Sequence, residues 1–246
     1  MKLTDLLAYC DERLNAADFD DYCPNGLQVE ASEEVSHIVS GVTASLAQIE
    51  AAAENGADLL LVHHGYFWKG EAAPLVGIKG RRVRHLMRSG LNLMAYHLPL
   101  DAHRELGNNA GLGRALGLSG APISDKSLIW GAELPLESTA AELTDLITER
   151  LQRTPVVLDS GRAVRRVAWC TGAAQNYIVQ AAEAGYDTFV SGEISEQTQH
   201  LADELGVSFF SAGHHATERF GVQSLGAELA ERFALSHRYI DIDNPA

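Results

Sequence analysis

Two stretches of this chain, 129 positions apart, are written in one pattern. AAAENGADLLLVHH (51–64) and QAAEAGYDTFVSGE (180–193) match Glu54 with Glu183, Gly56 with Gly185 and Asp58 with Asp187 at that constant offset. Each reads as the end of a helix, a glycine that stops it, and a short strand of buried character. A second pair follows, GLNLMAYH (90–97) against GVSFFSAGH (206–214), once one residue is inserted. Strand, helix, strand in succession is a βαβ unit, whose strands run parallel. A chain made of two such copies is confined to the α/β class. The expectation is two related α/β units from an internal duplication, with parallel-rich sheets and flanking helices.

The other segments fall into place around the repeat. Leu3, Leu6, Leu7, Cys10 and Leu14 form one stripe of a helix over 3–14. Asp20 to Val29 contains Pro24-Asn25-Gly26 and reads as turn. Strands at 37–42, 59–62 and 91–96, with helices at 45–55 and 79–89, build the first copy. Strands at 166–170, 187–191 and 207–211, with helices to 184 and over 195–205, build the second. A last helix opens at His214, and a strand at 237–242 closes the chain. Between the copies, 121–165 reads as a small βαβ-like insert without site chemistry, its helix opened by a Thr139/Glu142 capping box. The resulting division is 1–120 and 121–246, with the C-terminal segment available to pack on the first unit.

Chemistry collects where the strands end. LLLV (59–62) runs into His63-His64, and the aligned position in the second copy is Gly192-Glu193. The next strands lead into His97 with Asp101, and His214 with Glu218, both spaced His-x-x-x-acid. In open α/β sheets ligands gather outside the carboxyl ends of the strands. An i,i+4 pair on a helix shares one face, which suits His214 and Glu218. Pro99 argues against a regular helix between His97 and Asp101. Imidazole and carboxylate together bind Zn, Fe, Mn, Co or Ni, and no cysteine in the cluster supplies a soft thiolate. The His dyad can serve one ion or two. Two divalent ions about 3.5–4 Å apart activate water for hydrolysis of phosphate esters, amides or heterocyclic rings.

Other residues have two readings each. Tyr66, Phe67 and Trp68 either line the mouth of the site and stack a base or pack beneath a loop or at a subunit contact. Lys69 and Arg219 either hold phosphates or are solvated. Cys170 fits a buried strand residue better than a nucleophile. SGVTAS (40–45) has neither dinucleotide nor P-loop glycine spacing.

Charge narrows the partners. With 19 Lys+Arg against 33 Asp+Glu the net charge is −14, which opposes duplex nucleic acid and a polybasic membrane contact but attracts cations. No apolar run approaches the ~18 residues of a membrane span. The N-terminal residues lack a signal-peptide core, and Cys10, Cys23 and Cys170 are too dispersed for a CxxC pair. A cytoplasmic protein with reduced thiols is the expectation.

DYCPNGLQVE (21–30), GVTAS (41–45), HHGYFWKG (63–70), HLPLDAH (97–103), GNN (107–109), SGEISEQ (191–197) and AGHHATER (212–219) resemble the GTP cyclohydrolase I type 2 homologue family, also called NGG-interacting-factor-three-like proteins. The resemblance spans almost the whole chain and is nearest to short bacterial members. It implies a toroidal homohexamer with a dinuclear metal site facing its interior. The metal ligands it implies are His63, His64, Asp101, His214 and Glu218, holding two divalent ions. His97 and His215 fall outside that ligand set; His97 is kept for proton transfer or outer-shell support. The expected function is a dinuclear metal-dependent hydrolase, its metal-bridging hydroxide attacking a nucleotide or related heterocycle. The alternative is a non-enzymatic metal-binding ring that recruits or regulates a partner.

Overall fold

In the computed structural model, which describes all 246 residues, the elements are α1 (Leu3–Arg13), β1 (Gly26–Val29), β2 (His37–Thr43), α2 (Leu46–Glu54), β3 (Leu59–His64), α3 (Gly77–Arg88), β4 (Asn92–Ala95), α4 (Leu98–Ala102), α5 (Asn108–Ala115), β5 (Ala121–Pro122), β6 (Trp130–Ser138), α6 (Ala140–Leu151), β7 (Val156–Leu158), β8 (Val164–Cys170), α7 (Ile178–Glu183), β9 (Thr188–Ser191), α8 (Glu196–Leu205), β10 (Ser208–Ser211), α9 (His214–Thr217), α10 (Arg219–Phe233) and β11 (Ser236–Tyr239). The chain divides into two units: Met1–Leu100 with Gly221–Asp243, and Asp101–Phe220 with Asn244–Ala246.

The first unit is a five-stranded sheet in the order β1-β4-β3-β2-β11. β2, β3, β4 and β11 are mutually parallel where they pair, and β1 closes the edge antiparallel to β4. β3 is central, and Leu59 to Val62 are fully buried, as expected of a parallel strand covered on both faces. Ser45 caps α2 by accepting from the Gln48 backbone N–H, and Gly56, at positive φ, ends the turn that feeds β3.

The second unit is a six-stranded sheet in the order β5-β6-β8-β9-β10-β7. β8, β9 and β10 are parallel; β6 and β7 flank them antiparallel. Alternate residues feed opposite cores. Val167, Trp169, Val190 and Phe210 pack with Leu143, Ile147 and Leu151 of α6. Ala168, Cys170, Phe189 and Phe209 pack with Ile178 and Ala181 of α7.

The repeat is visible in the backbone. Asp58 accepts from Ser36 N, Ser36 Oγ and His37 N at 2.8, 2.7 and 3.0 Å. Asp187 accepts from Arg165 N and Arg166 N at 3.2 and 3.0 Å. Each carboxylate pins the start of the strand that neighbours its own, and the donors stand at the same 129-residue offset. The inserted residue of the second alignment falls after the strand: Tyr96 N bonds to Val62 O as Ala212 N does to Ser191 O.

Three expectations are revised. Gly26–Val29 is a strand, because Gly26 at φ +98° turns the chain into register with β4. Leu98–Ala102 is a short helix despite Pro99, which sits in its first turn where no backbone donor is needed. The helix expected from His214 is two, with Glu218 at the break (φ −108°, ψ 12°). Within residues 121–165, β6 and β7 lie at opposite sides of the second sheet and α6 packs on it. α5 belongs with the second unit because Trp169 donates to Asn109 O at 2.9 Å, and a Cβ on Gly113 would come within 2.7 Å of the Trp169 ring.

Asp58 is partly buried, which raises its pKa, but the bonds from Ser36 and His37 outweigh this and lower it. Its stabilisation is therefore complete above the unfolded carboxylate range and fades as pH falls through the lowered folded value. Asp58→Ala is expected to cost about 1–3 kcal/mol at pH 7. The deficit against wild type should shrink in urea denaturation repeated near pH 3.

Candidate metal centre

In the first unit three imidazoles gather at the end of the sheet. His63 and His64 are the last residues of β3, and His97 follows β4. Their ring centroids lie 4.6 Å (His63–His64), 5.1 Å (His63–His97) and 5.8 Å (His64–His97) apart. Candidate donor atoms of the three come within 4.8 Å of one another. His63 is fully buried and its Nδ1 donates to Tyr96 O at 2.8 Å, which directs the Nε2 lone pair elsewhere. His64 Nδ1 lies 3.2 Å from Thr43 Oγ1. Fixing one ring nitrogen so that the other can ligate is how outer-shell partners orient metal-binding histidines.

His97 is held differently. Its Nδ1 donates to Asp21 Oδ1 at 2.7 Å, and Asp21 also accepts from Asn25 Nδ2 and Leu98 N, both at 2.9 Å. Burial raises the Asp21 pKa, but the His97 and Asn25 bonds dominate and lower it to about 2. Cys23 Sγ lies beside Asp21 and His97, yet burial, and then the Asp21 charge, push its thiol up to about 12.

The loop after β3 settles the aromatic readings. Tyr66 is buried in the first unit's core and donates to Ala44 O. Phe67 adopts φ +65° and packs against that core. Trp68 stands edge-on to His97 with centroids 5.0 Å apart, so it borders the imidazoles. A Cβ on Gly65 would stand 2.1 Å from Gln28 Oε1, which accepts from Tyr66 N. Lys69 pairs with Asp20 at 2.8 Å.

In the second unit the donors are two carboxylates and one histidine. Glu218 is 3% exposed and Asp101 is 7% exposed, and their carboxylate oxygens lie within 4.8 Å of one another. Asp101 Oδ1 accepts from Asn108 Nδ2 at 2.8 Å and Thr171 Oγ1 at 3.3 Å. Asn109 supports both, donating to Asp101 O at 3.2 Å and accepting from Thr171 N at 3.0 Å. His214 lies between two acids, Glu218 on Nε2 at 3.0 Å and Glu193 on Nδ1 at 2.7 Å. Burial opposes its charge, but Glu218 and then Glu193 outweigh that and raise its pKa to about 9. Burial, reinforced by Asp101 and Glu218, holds the Cys170 thiol protonated, in keeping with a strand residue rather than a nucleophile. His215 donates its backbone N–H to Ala246 O, and Arg219 is tied to the carbonyls of Ala216 and Leu151.

Two glycines make room. A Cβ on Gly172 (φ +69°) would stand 2.0 Å from Glu218 Oε1 and 3.3 Å from His214 Nε2. A Cβ on Gly192 would stand 2.7 Å from His214 Cα. The donor set therefore fits a cation: oriented imidazoles in one unit, buried carboxylates in a notch with no side chain in the other. Thr43, Asp21, Glu193, Asn108 and Thr171 were not singled out from sequence as site residues. Their signal was present, since all but Thr171 lie within motifs quoted above, but only folding reveals which donor each one touches.

An α/β protein of two duplicated units, each bearing histidine or carboxylate donors at its strand ends, is the class that this geometry defines. A family profile described as Duf34/NIF3 (NGG1p interacting factor 3) matches residues 1–245, and the chain belongs to that family. It is 56% identical over 247 residues to a protein of Allochromatium vinosum named GTP cyclohydrolase 1 type 2 homolog, covering 98% of this chain and 96% of that one. It is 49% identical to the Escherichia coli (strain K12) protein of the same name, covering all of both. Among solved structures, TTHA1606 from Thermus thermophilus superposes with a TM-score of 0.93 at 35% identity and full coverage of both chains. A structure described as protein ybgI, of unknown function, reaches 0.96 at 48% identity, again covering both chains fully.

Gly172→Ala should lower divalent-metal affinity by about 10–100-fold, the range for disturbed ligand support. The fold should survive, since the positive φ costs a non-glycine residue only about 1–2 kcal/mol. Calorimetric titration of Zn or Mn, with circular dichroism alongside, checks this; undiminished affinity would remove Glu218 from the ligand set.

Proposed function

We propose that this protein is a dinuclear metal-dependent hydrolase, with His63 and His64 from the first unit and Asp101, His214 and Glu218 from the second holding two divalent cations. The observation that carries the reading is the complementarity of the two half-sets. The first unit offers oriented imidazoles and the second offers buried carboxylates, and a buried carboxylate is costly without a cation. Five ligands shared by two ions leave positions for water and substrate, unlike a closed structural site. When bound, two such ions supply Lewis acidity and lower the pKa of water.

The chain's own residues would do the rest. Asp21 orients His97 through Nδ1, so His97 can move a proton at Nε2. Trp68 offers a flat apolar wall beside His97 for a planar ring. The relatives' name, GTP cyclohydrolase 1 type 2 homolog, directs the substrate search to nucleotides and related heterocycles.

The proposal includes a homohexameric ring in the cytoplasm. Val76, Ile78 and Met87 are 71%, 60% and 53% exposed, and exposed apolar side chains are what subunit contacts cover. The structure also has no helix long and apolar enough to cross a membrane. The same exposed side chains favour a second reading, a metal-binding ring whose role is to recruit or regulate a partner protein.

Chelated protein should recover two Zn, Mn or Fe ions per chain by elemental analysis, and His64→Ala or Glu218→Gln should lose that stoichiometry. Formate release from GTP, with phosphatase and amidase panels, then reads activity. Wild type should turn over at least one substrate class, and His64→Ala should fall by roughly 100-fold or more. Full metal occupancy with no turnover in any panel passes the case to the partner-recruiting reading.

A further inference from the structure

Arg153 lies outside the ligand set and has no acidic partner. Its Nε is buried and makes no hydrogen bond, and no ion pair neutralises it. Every step that brings it to its position is visible in the second unit. Arg219 Nη2 donates to Leu151 O at 2.8 Å, tying the end of α6 to the start of α10. Gln152 then takes a left-handed conformation, φ +56°, that turns the chain. Arg153 comes to rest against Gly213, the residue immediately before His214. A Cβ on Gly213 (φ +99°) would stand 2.6 Å from Arg153 Cδ and Nε and 3.2 Å from Cζ. Gly213 thus serves twice, permitting the backbone angle and clearing the space the arginine fills.

A buried guanidinium nitrogen left without an acceptor costs free energy unless something arrives to use it. Guanidinium groups are built for planar, two-point contact with phosphate or carboxylate oxygens. The chain carries a net charge of −14, so an anionic substrate is repelled at long range and needs a local cation to be captured. Lys69 is engaged by Asp20 and Arg219 by backbone carbonyls. We infer that Arg153 binds an oxyanion, phosphate or carboxylate, of the substrate that this hydrolase accepts beside His214. The inference rests on the hydrolase reading and adds to it the charge of the substrate and the residue that recognises it.

The test is titration calorimetry of wild type, Arg153→Ala and Arg153→Lys, each metal-loaded and metal-free, with GTP, guanosine and succinate as probes. Wild type should bind GTP or succinate, and which of the two binds identifies phosphate or carboxylate as the recognised group. Arg153→Ala should weaken that probe by roughly 10- to 100-fold, the range of a lost charge-assisted bond. Arg153→Lys should restore part of the loss, and guanosine should not discriminate among the three proteins. Circular dichroism and metal content should be unchanged, which separates a binding role from a structural one. Equal affinity of wild type and Arg153→Ala for both anionic probes overturns the inference, as does failure of wild type to bind either. If instead no variant loads metal, the hydrolase reading falls, and the metal-free titrations still decide the role of Arg153.

Discussion

Glu218 is a buried carboxylate, and the second unit is arranged around accommodating it. His214 meets it at 3.0 Å and Gly172 leaves the notch that admits it. The chain breaks its helix at that residue, between α9 and α10. Burying a lone carboxylate at 3% exposure is unfavourable by several kcal/mol, and the imidazolium of His214 offsets this. That ring is itself held by Glu193, so the cluster sets two carboxylates against one imidazole. Such an arrangement invites a cation, since a metal ion competes for the nitrogen that now holds a proton.

Duplication explains why the framework is shared while the chemistry is not. Asp58 and Asp187 make the same backbone contacts because strand starts in both units must be pinned alike. One strand further along, the copies part company. The first unit keeps His63 and His64 at the end of β3, where the second has Gly192 and Glu193 after β9. Gly192 clears the backbone of His214, and Glu193 fixes its ring. The second copy has thus exchanged a pair of imidazoles for groups that fix another imidazole, and its own histidine, His214, lies three residues past the end of β10.

The support around each donor is as specific as the donor itself. Tyr96 O determines which nitrogen of His63 is protonated, and Asn108 and Thr171 orient one oxygen of Asp101. These are hydrogen bonds among buried groups, where a missing partner costs more than a made bond returns. The aromatic trio shows the same discrimination among neighbours. Tyr66 and Phe67 serve the core, and only Trp68 reaches the imidazoles.

The α/β class, the repeat and the strand ends as the place of chemistry were all legible in the residues, because they follow from period and spacing. Gly56 and Gly185 stop helices, and the short runs behind them, Leu59–Val62 and Thr188–Val190, are buried strands. Local rules failed where tertiary contacts overruled them. Pro99 sits inside a helix whose first turn tolerates it, and Gly26–Val29 becomes a strand through pairing with β4. The partners of the donors, Asp21, Thr43, Glu193 and Asn108, come from distant chain positions, and no one-dimensional pattern states which atom faces which. Residue types and their order determined what kind of chemistry this protein can host. Only the folded backbone, by setting hydrogen-bond distances and leaving glycine-sized gaps, decided which side chains are oriented to perform it.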